Sequence, residues 1–100
     1  MNNLLPIFMK LEEAPCLVVG GGNIALQKIR QLIDSKAMVT VVSPEISQSI
    51  HSLPVTAVNR CYHSRDLDGV RLVIAATDNN KVNRQVYLDA QKNSIPVNVV

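Results

Sequence analysis

The 100-residue chain has no tryptophan, two tyrosines and one phenylalanine. So few rings offer a nucleic acid little to stack on, and the basic residues are scattered rather than gathered into a stripe. With a net charge of only +2, these features exclude a dedicated nucleic-acid surface. No apolar run approaches the ~20 residues needed to cross a bilayer, so no membrane span is expected. The first residues lack the charged start and long apolar stretch of a signal peptide. Only two cysteines occur, far apart at Cys16 and Cys61. Cys16 reads as a small core residue. Cys61-Tyr62-His63 offers two potential ligands where a structural metal needs three or four, so no metal site is expected. A reducing, cytoplasmic setting is expected from this cysteine usage. There is no internal repeat and no low-complexity tract.

What is present is the composition of one globular domain spanning residues 1–100, with 47% hydrophobic and 18% charged residues. Its organising stretch is Cys16-Leu17-Val18-Val19-Gly20-Gly21-Gly22-Asn23-Ile24-Ala25. It reads as a buried strand, a glycine turn and the first turn of a helix. Gly20, Gly22 and Ala25 fit G-x-G-x-x-A, the dinucleotide-binding fingerprint. Gly20 lets the chain turn sharply, Gly22 lets a pyrophosphate approach the backbone, and Ala25 lets the helix pack close to the sheet. The unpaired N–H groups at the start of that helix then face an anion.

Taken in order, residues 4–11 are apolar around Pro6 and read as an extended lead-in on a sheet edge. Residues 16–19 form strand one, apolar without alternation, as in a parallel strand covered on both faces. A helix is expected over 23–35, with Ala25, Ile29, Leu32 and Ile33 on one face and Asn23 capping its start. No glycine stands near Lys36 to close it. Strand two covers 37–42. Pro44 suits a first helical position, so a second helix is expected from there to Leu53, with Ile46, Ile50 and Leu53 inward and Pro54 as the stop. Residues 55–58 read as an edge strand, 59–69 as loop and turn, and 70–76 as another buried strand. A helix marked by Val82, Val86 and Leu88 to Ala90 runs to about 93, and residues 95–100 form a last strand. Strands alternating with helices predict an α/β, Rossmann-like, doubly wound parallel sheet of about five strands in the order 3-2-1-4-5.

Ligands of such sheets bind beyond the carboxyl ends of the strands, at the switch point. Those ends carry Gly20, Gly22, Asn23 and Ile24, then Ser43, Pro44 and Glu45, then Ala76, Thr77 and Asp78. An acid about 20 residues past the glycines holds the ribose of NAD. Ser43 and Glu45 stand there, and no Arg or Lys does, which favours NAD over NADP. Glu45 equally suits a first-turn helix carboxylate. Asp78 has two readings, the cap of the following helix and a contact near the nicotinamide ribose. His51 and His63 read as solvated surface residues, and Lys28, Arg30, Lys81 and Arg84 as polar helix faces.

Several segments in order carry a more specific likeness: Leu5-Pro6-Ile7-Phe8, the glycine stretch, Lys28-Ile29-Arg30, Val39-Thr40-Val41-Val42-Ser43-Pro44-Glu45, Ala75-Ala76-Thr77-Asp78 with Asn83, and Val97-Asn98-Val99-Val100. Together they resemble the N-terminal domain of siroheme synthase, in the precorrin-2 dehydrogenase and sirohydrochlorin ferrochelatase family. The resemblance implies oxidation of precorrin-2 to sirohydrochlorin with NAD as hydride acceptor, iron insertion in some members, and a homodimeric parent. It places Asn23-Ile24 and Pro44-Glu45 at NAD contacts and Ala76-Thr77-Asp78 near the nicotinamide half. Its acid–base Asp directly follows the Asn-Val-Val segment, past Val100, so no catalytic residue is assigned within the chain. The chain therefore reads as a domain cut after its fifth strand, expected to hold NAD without oxidising precorrin-2. Two rival readings are an NAD-sensing regulatory module and a nucleotide-free fragment used for assembly.

Overall fold

A computed structural model describes residues 9–100. The expected lead-in falls largely on residues 4–8, outside the described residues; Leu11 packs against the core. The elements are β1 (Pro15–Val19), α1 (Asn23–Asp34), β2 (Met38–Ser43), α2 (Gln48–His51), β3 (Thr56–Asn59), a 3-10 turn (Ser64–Leu67), β4 (Leu72–Ala75), α3 (Asn80–Lys92) and β5 (Val97–Val99). The five strands form one parallel sheet in the order β3-β2-β1-β4-β5. This is the expected Rossmann-like architecture.

The central strand explains why the sheet is covered on both faces. Successive side chains of a strand point to opposite sides. Cys16 and Val18 of β1 join Ala25, Ile29 and Leu32 of α1 and Ile50 of α2 in one core. Leu17 and Val19 join Val86 and Ala90 of α3 and Leu67 of the 3-10 turn in the other. All of these are essentially withdrawn from water, and each large aliphatic side chain so buried contributes roughly 1.5–3 kcal/mol. Alternation is invisible in the sequence of β1 because both faces are apolar.

Both long helices end in the same way, without glycine. After α1, Lys36 adopts φ +62°; its N–H donates to Ile33 O at 2.8 Å and that of Ala37 to Leu32 O at 3.0 Å. After α3, Ser94 adopts φ +55°, with Ser94 N–H donating to Gln91 O at 3.1 Å and Ile95 N–H to Ala90 O at 2.8 Å. These are Schellman closures in which a left-handed residue satisfies the last carbonyls. The boundary that a missing glycine left open is thus set by backbone hydrogen bonds and by the packing of Ala37 and Ile95 against the two cores.

Three expectations are corrected. Asn23 does not cap α1: Gly22 holds the cap position and Asn23 is already helical, so its side chain projects from the first turn. The second helix does not begin at Pro44; it is four residues long, beginning after Ser47. Residues 44–47 instead drape over the glycine turn, where Ser47 N–H donates to Gly21 O at 2.9 Å. The helix marked by Val82, Val86 and Leu88 to Ala90 is α3, on which Leu88 is 43% exposed and Asp89 is buried. There Asp89 accepts from Tyr62 Oη and Gln85 Nε2, both at 2.9 Å. Burial, then this hydrogen bond, pushes the Tyr62 phenol well above its ordinary range.

The last correction concerns residues 59–69, which are not plain loop. Arg60 grips Asp66 with two nitrogens, at 2.9 and 2.6 Å, and Asp66 Oδ2 also accepts from the His63 N–H at 2.8 Å. The Arg60 hydrogen bond, helped by that of His63, holds the Asp66 carboxyl below the ordinary aspartate range.

Two outcomes are expected. Replacing Lys36 or Ser94 by Gly removes the left-handed strain, and each raises unfolding free energy by about 0.5–1 kcal/mol in urea titrations. For Asp66 the folded-state pKa is the lower one. Its contribution is therefore complete above the ordinary value of 3.8 and fades as pH falls through the depressed one. Asp66→Asn should lower the thermal midpoint at pH 7 and flatten its decline between about pH 5 and pH 2, as followed by circular dichroism.

Candidate nucleotide-binding cleft

At the carboxyl ends of β1, β2 and β4 the sheet opens into a cleft of about 810 Å³. The glycine turn forms its floor, Ser43, Pro44 and Glu45 one wall, and Ala76, Thr77 and Asp78 the other. Asn23 and Ile24, in the first turn of α1, also line it. All ten residues singled out in the sequence are therefore brought to one place. Gly21, Ile46 and Ser47 line it as well and were missed.

The three glycines play different parts. Gly20 has φ +136°, and a Cβ there would lie 2.3 Å from Ala76 O. A Cβ on Gly21 would lie 1.9 Å from Glu45 O. Both contacts are with backbone, which cannot swing aside. Gly22 has nothing within 4 Å of its would-be Cβ and an ordinary extended backbone, φ −102° and ψ −159°. The fold thus requires Gly20 and Gly21 to be glycine, whereas Gly22, which lines the cleft, has open space where a side chain would stand.

The start of α1 supplies the electrostatics. No side chain caps it and no acid occupies its first turn; the first closing bond is Leu26 N–H to Gly22 O, at 2.9 Å. The N–H groups of the first turn thus lack intrahelical partners and carry the positive end of a twelve-residue helix. Ile24 is 54% exposed beside them. The other long helix differs. Asn79 caps α3, its Oδ1 accepting from Lys81 N–H at 2.9 Å and Val82 N–H at 3.3 Å.

These bonds overturn the cap reading of Asp78: Asn79, one residue on, is the cap, and Asp78 is exposed. Thr77 is tied down. Its hydroxyl donates to Asn83 Oδ1 at 2.7 Å and accepts from Asn79 N–H at 3.1 Å. Asn83, buried on α3, also accepts from Thr77 N–H at 3.1 Å and donates Nδ2 to Thr77 O at 3.0 Å. It is a brace for this wall. Glu45 is exposed, and the one ion pair among the described residues is Arg60–Asp66. Cys16 is buried and Cys61 exposed; burial pushes the Cys16 thiol up. Among the described residues no group of three or more His, Cys, Asp or Glu could hold a metal ion, and no helix is long and apolar enough to cross a membrane.

A parallel sheet whose strand order reverses beside a glycine turn, an uncapped helix whose first turn lines the cleft, and an acid past the second strand define a dinucleotide-binding domain of the Rossmann class. Comparison with known proteins agrees. A family model described as "Putative NAD(P)-binding" matches residues 7–100, and the chain belongs to this NAD(P)-binding family. It is 50% identical over 100 residues to the siroheme synthase of Methylobacillus flagellatus, covering 96% of this chain and 21% of that protein. The siroheme synthase of Pseudomonas entomophila is also 50% identical, with 96% and 22% covered. Among solved structures, SirC, a precorrin-2 dehydrogenase, superposes with a TM-score of 0.85 at 29% identity, covering 95% of this chain and 48% of that one. The chain thus spans about a fifth of the length of the curated relatives it matches.

Substitution by alanine distinguishes the three glycines directly. Gly20→Ala and Gly21→Ala should each cost more than about 2 kcal/mol or prevent folding, whereas Gly22→Ala should stay within about 1 kcal/mol of the parent. Chemical denaturation of the three variants measures this, and a Gly22→Ala loss equal to the others would contradict the open space above it.

Proposed function

We propose that the cleft binds NAD and that this chain is the cofactor-holding part of a precorrin-2 dehydrogenase acting in siroheme synthesis. The observation that carries the reading is Gly22: a glycine lining the cleft beside the uncapped start of α1, with open space where a side chain would stand. The N–H groups of Asn23 and Ile24 would receive the pyrophosphate, and Gly22 lets it lie against the turn. Ser43, Pro44 and Glu45 form the adenosine side, where the unpaired Glu45 carboxylate accepts from ribose hydroxyls and repels a 2′-phosphate. Ala76, Thr77 and Asp78 form the nicotinamide side. Ala76 keeps that wall shallow, Thr77 is fixed by Asn83, and Asp78 is free to meet the ribose.

Bound NAD would supply the hydride acceptor. The chain's own contribution is to bind it, to orient it and to shape one side of the substrate cleft. Precorrin-2 as substrate is supported by the names of the similar proteins and by the order of motifs from Leu5 to Val100. Iron insertion, a homodimer of the whole protein and a cytoplasmic setting belong to the same proposal.

Calorimetric titration tests it. The protein should bind NADH at least about tenfold more tightly than NADPH. Gly22→Val should keep the native circular dichroism spectrum and lose at least about tenfold in NADH affinity. Tighter binding of NADPH would displace Glu45 from the ribose, and equal affinities for parent and variant would remove the phosphate from Gly22.

A further inference from the structure

One polar atom in the wall of the cleft lacks a partner. Ser47 Oγ is the one buried side-chain nitrogen or oxygen among the described residues with no hydrogen bond, and Ser47 lines the cleft. Its position sharpens the anomaly. Ser47 is the residue before α2, with extended φ −63° and ψ 153°, the conformation from which a serine hydroxyl usually caps the helix it precedes. Here the hydroxyl caps nothing. The backbone of the residue is fully employed, its N–H donating to Gly21 O at 2.9 Å and its carbonyl accepting from Ile50 and His51 at 3.1 and 3.2 Å. These bonds hold Cα in place beside the glycine turn and leave only the hydroxyl uncommitted.

A buried hydroxyl without a partner is destabilising, and folded proteins retain few. Nothing in the local fold asks for serine here, since alanine would keep every bond just named. We infer that Ser47 is a dinucleotide-positioning residue whose hydroxyl is satisfied by the adenosine half of the bound cofactor. The side is set by chain order. Ser47 lines the cleft and follows the end of β2, the strand whose end meets the adenosine ribose in this fold class. The contact asks that a change of χ1 between staggered wells carry Oγ from its buried position to the ligand. The hydroxyl would then bridge the draped segment 44–47 and the cofactor, so that binding also fastens that segment to Gly21. This inference rests on the NAD reading above and adds a residue that no fingerprint contains.

The test separates the two. NADH and ADP-ribose are titrated calorimetrically into the parent protein and Ser47→Ala, and thermal unfolding of each ligand-free protein is recorded. Losing one net hydrogen bond should weaken both ligands by about three- to tenfold. The ligand-free variant should melt at the same temperature or higher, because it no longer buries an unpaired hydroxyl. Ser47→Thr, which keeps the hydroxyl, should bind more tightly than Ser47→Ala. Equal affinities of parent and Ser47→Ala would overturn the role of Ser47 and leave the NAD reading standing, and so would a lower melting temperature of ligand-free Ser47→Ala. A parent protein that binds neither ligand would overturn the NAD reading itself.

Discussion

The structure depends on how closely three backbone segments approach at one point. The turn after β1 is pressed between the end of β4, through Gly20 and Ala76, and the segment after β2, through Gly21 and Glu45. No side chain fits in either contact. Because β2 and β4 flank β1 in the sheet, fixing the turn between their continuations also fixes both walls of the cleft. The base of the cleft is thus fixed by contacts between backbone segments, with no room there for a side chain to adjust.

The same tightness explains the contrast between the two long helices. The start of α3 is satisfied by its own Asn79. The start of α1 comes directly after the glycine turn, with Gly22 at the cap position, and so has no side chain with which to cap itself. A helix start left unsatisfied is a local weakness, and it is the feature on which the proposed pyrophosphate contact rests. The uncommitted hydroxyl of Ser47 obeys the same logic on a smaller scale.

Much of this was legible in the residues. The strands are short apolar runs bounded by turn residues, so the five-stranded order could be read from alternation with helices. The fingerprint, Ser43 to Glu45 and Ala76 to Asp78 fall at strand ends, so topology alone gathers them. What was not legible depends on contacts between distant segments. Pro44 carries the signal of a helix start, yet the pull of Gly21 on Ser47 delays α2. In Thr77-Asp78-Asn79-Asn80 every residue can cap a helix, and only the engagement of Thr77 with Asn83 hands the cap to Asn79. The Arg60–Asp66 and Tyr62–Asp89 pairs have no sequence pattern, being fixed by how the 3-10 turn packs on α3. Gly21 sits inside the fingerprint at a position that the pattern leaves free.

The two-sided packing of β1 reaches beyond architecture. Because one strand supplies both cores, neither layer can open while the other stays shut, and β1 with its neighbours forms a single cooperative unit. Amide exchange in β1, β2 and β4 should then proceed only by global opening, while β3, β5 and the short α2 exchange by local fraying. A ligand gripping the turn at the end of β1 would act on that unit as a whole. It would slow exchange on both faces of the sheet at once, including at amides of α3 far from the glycines.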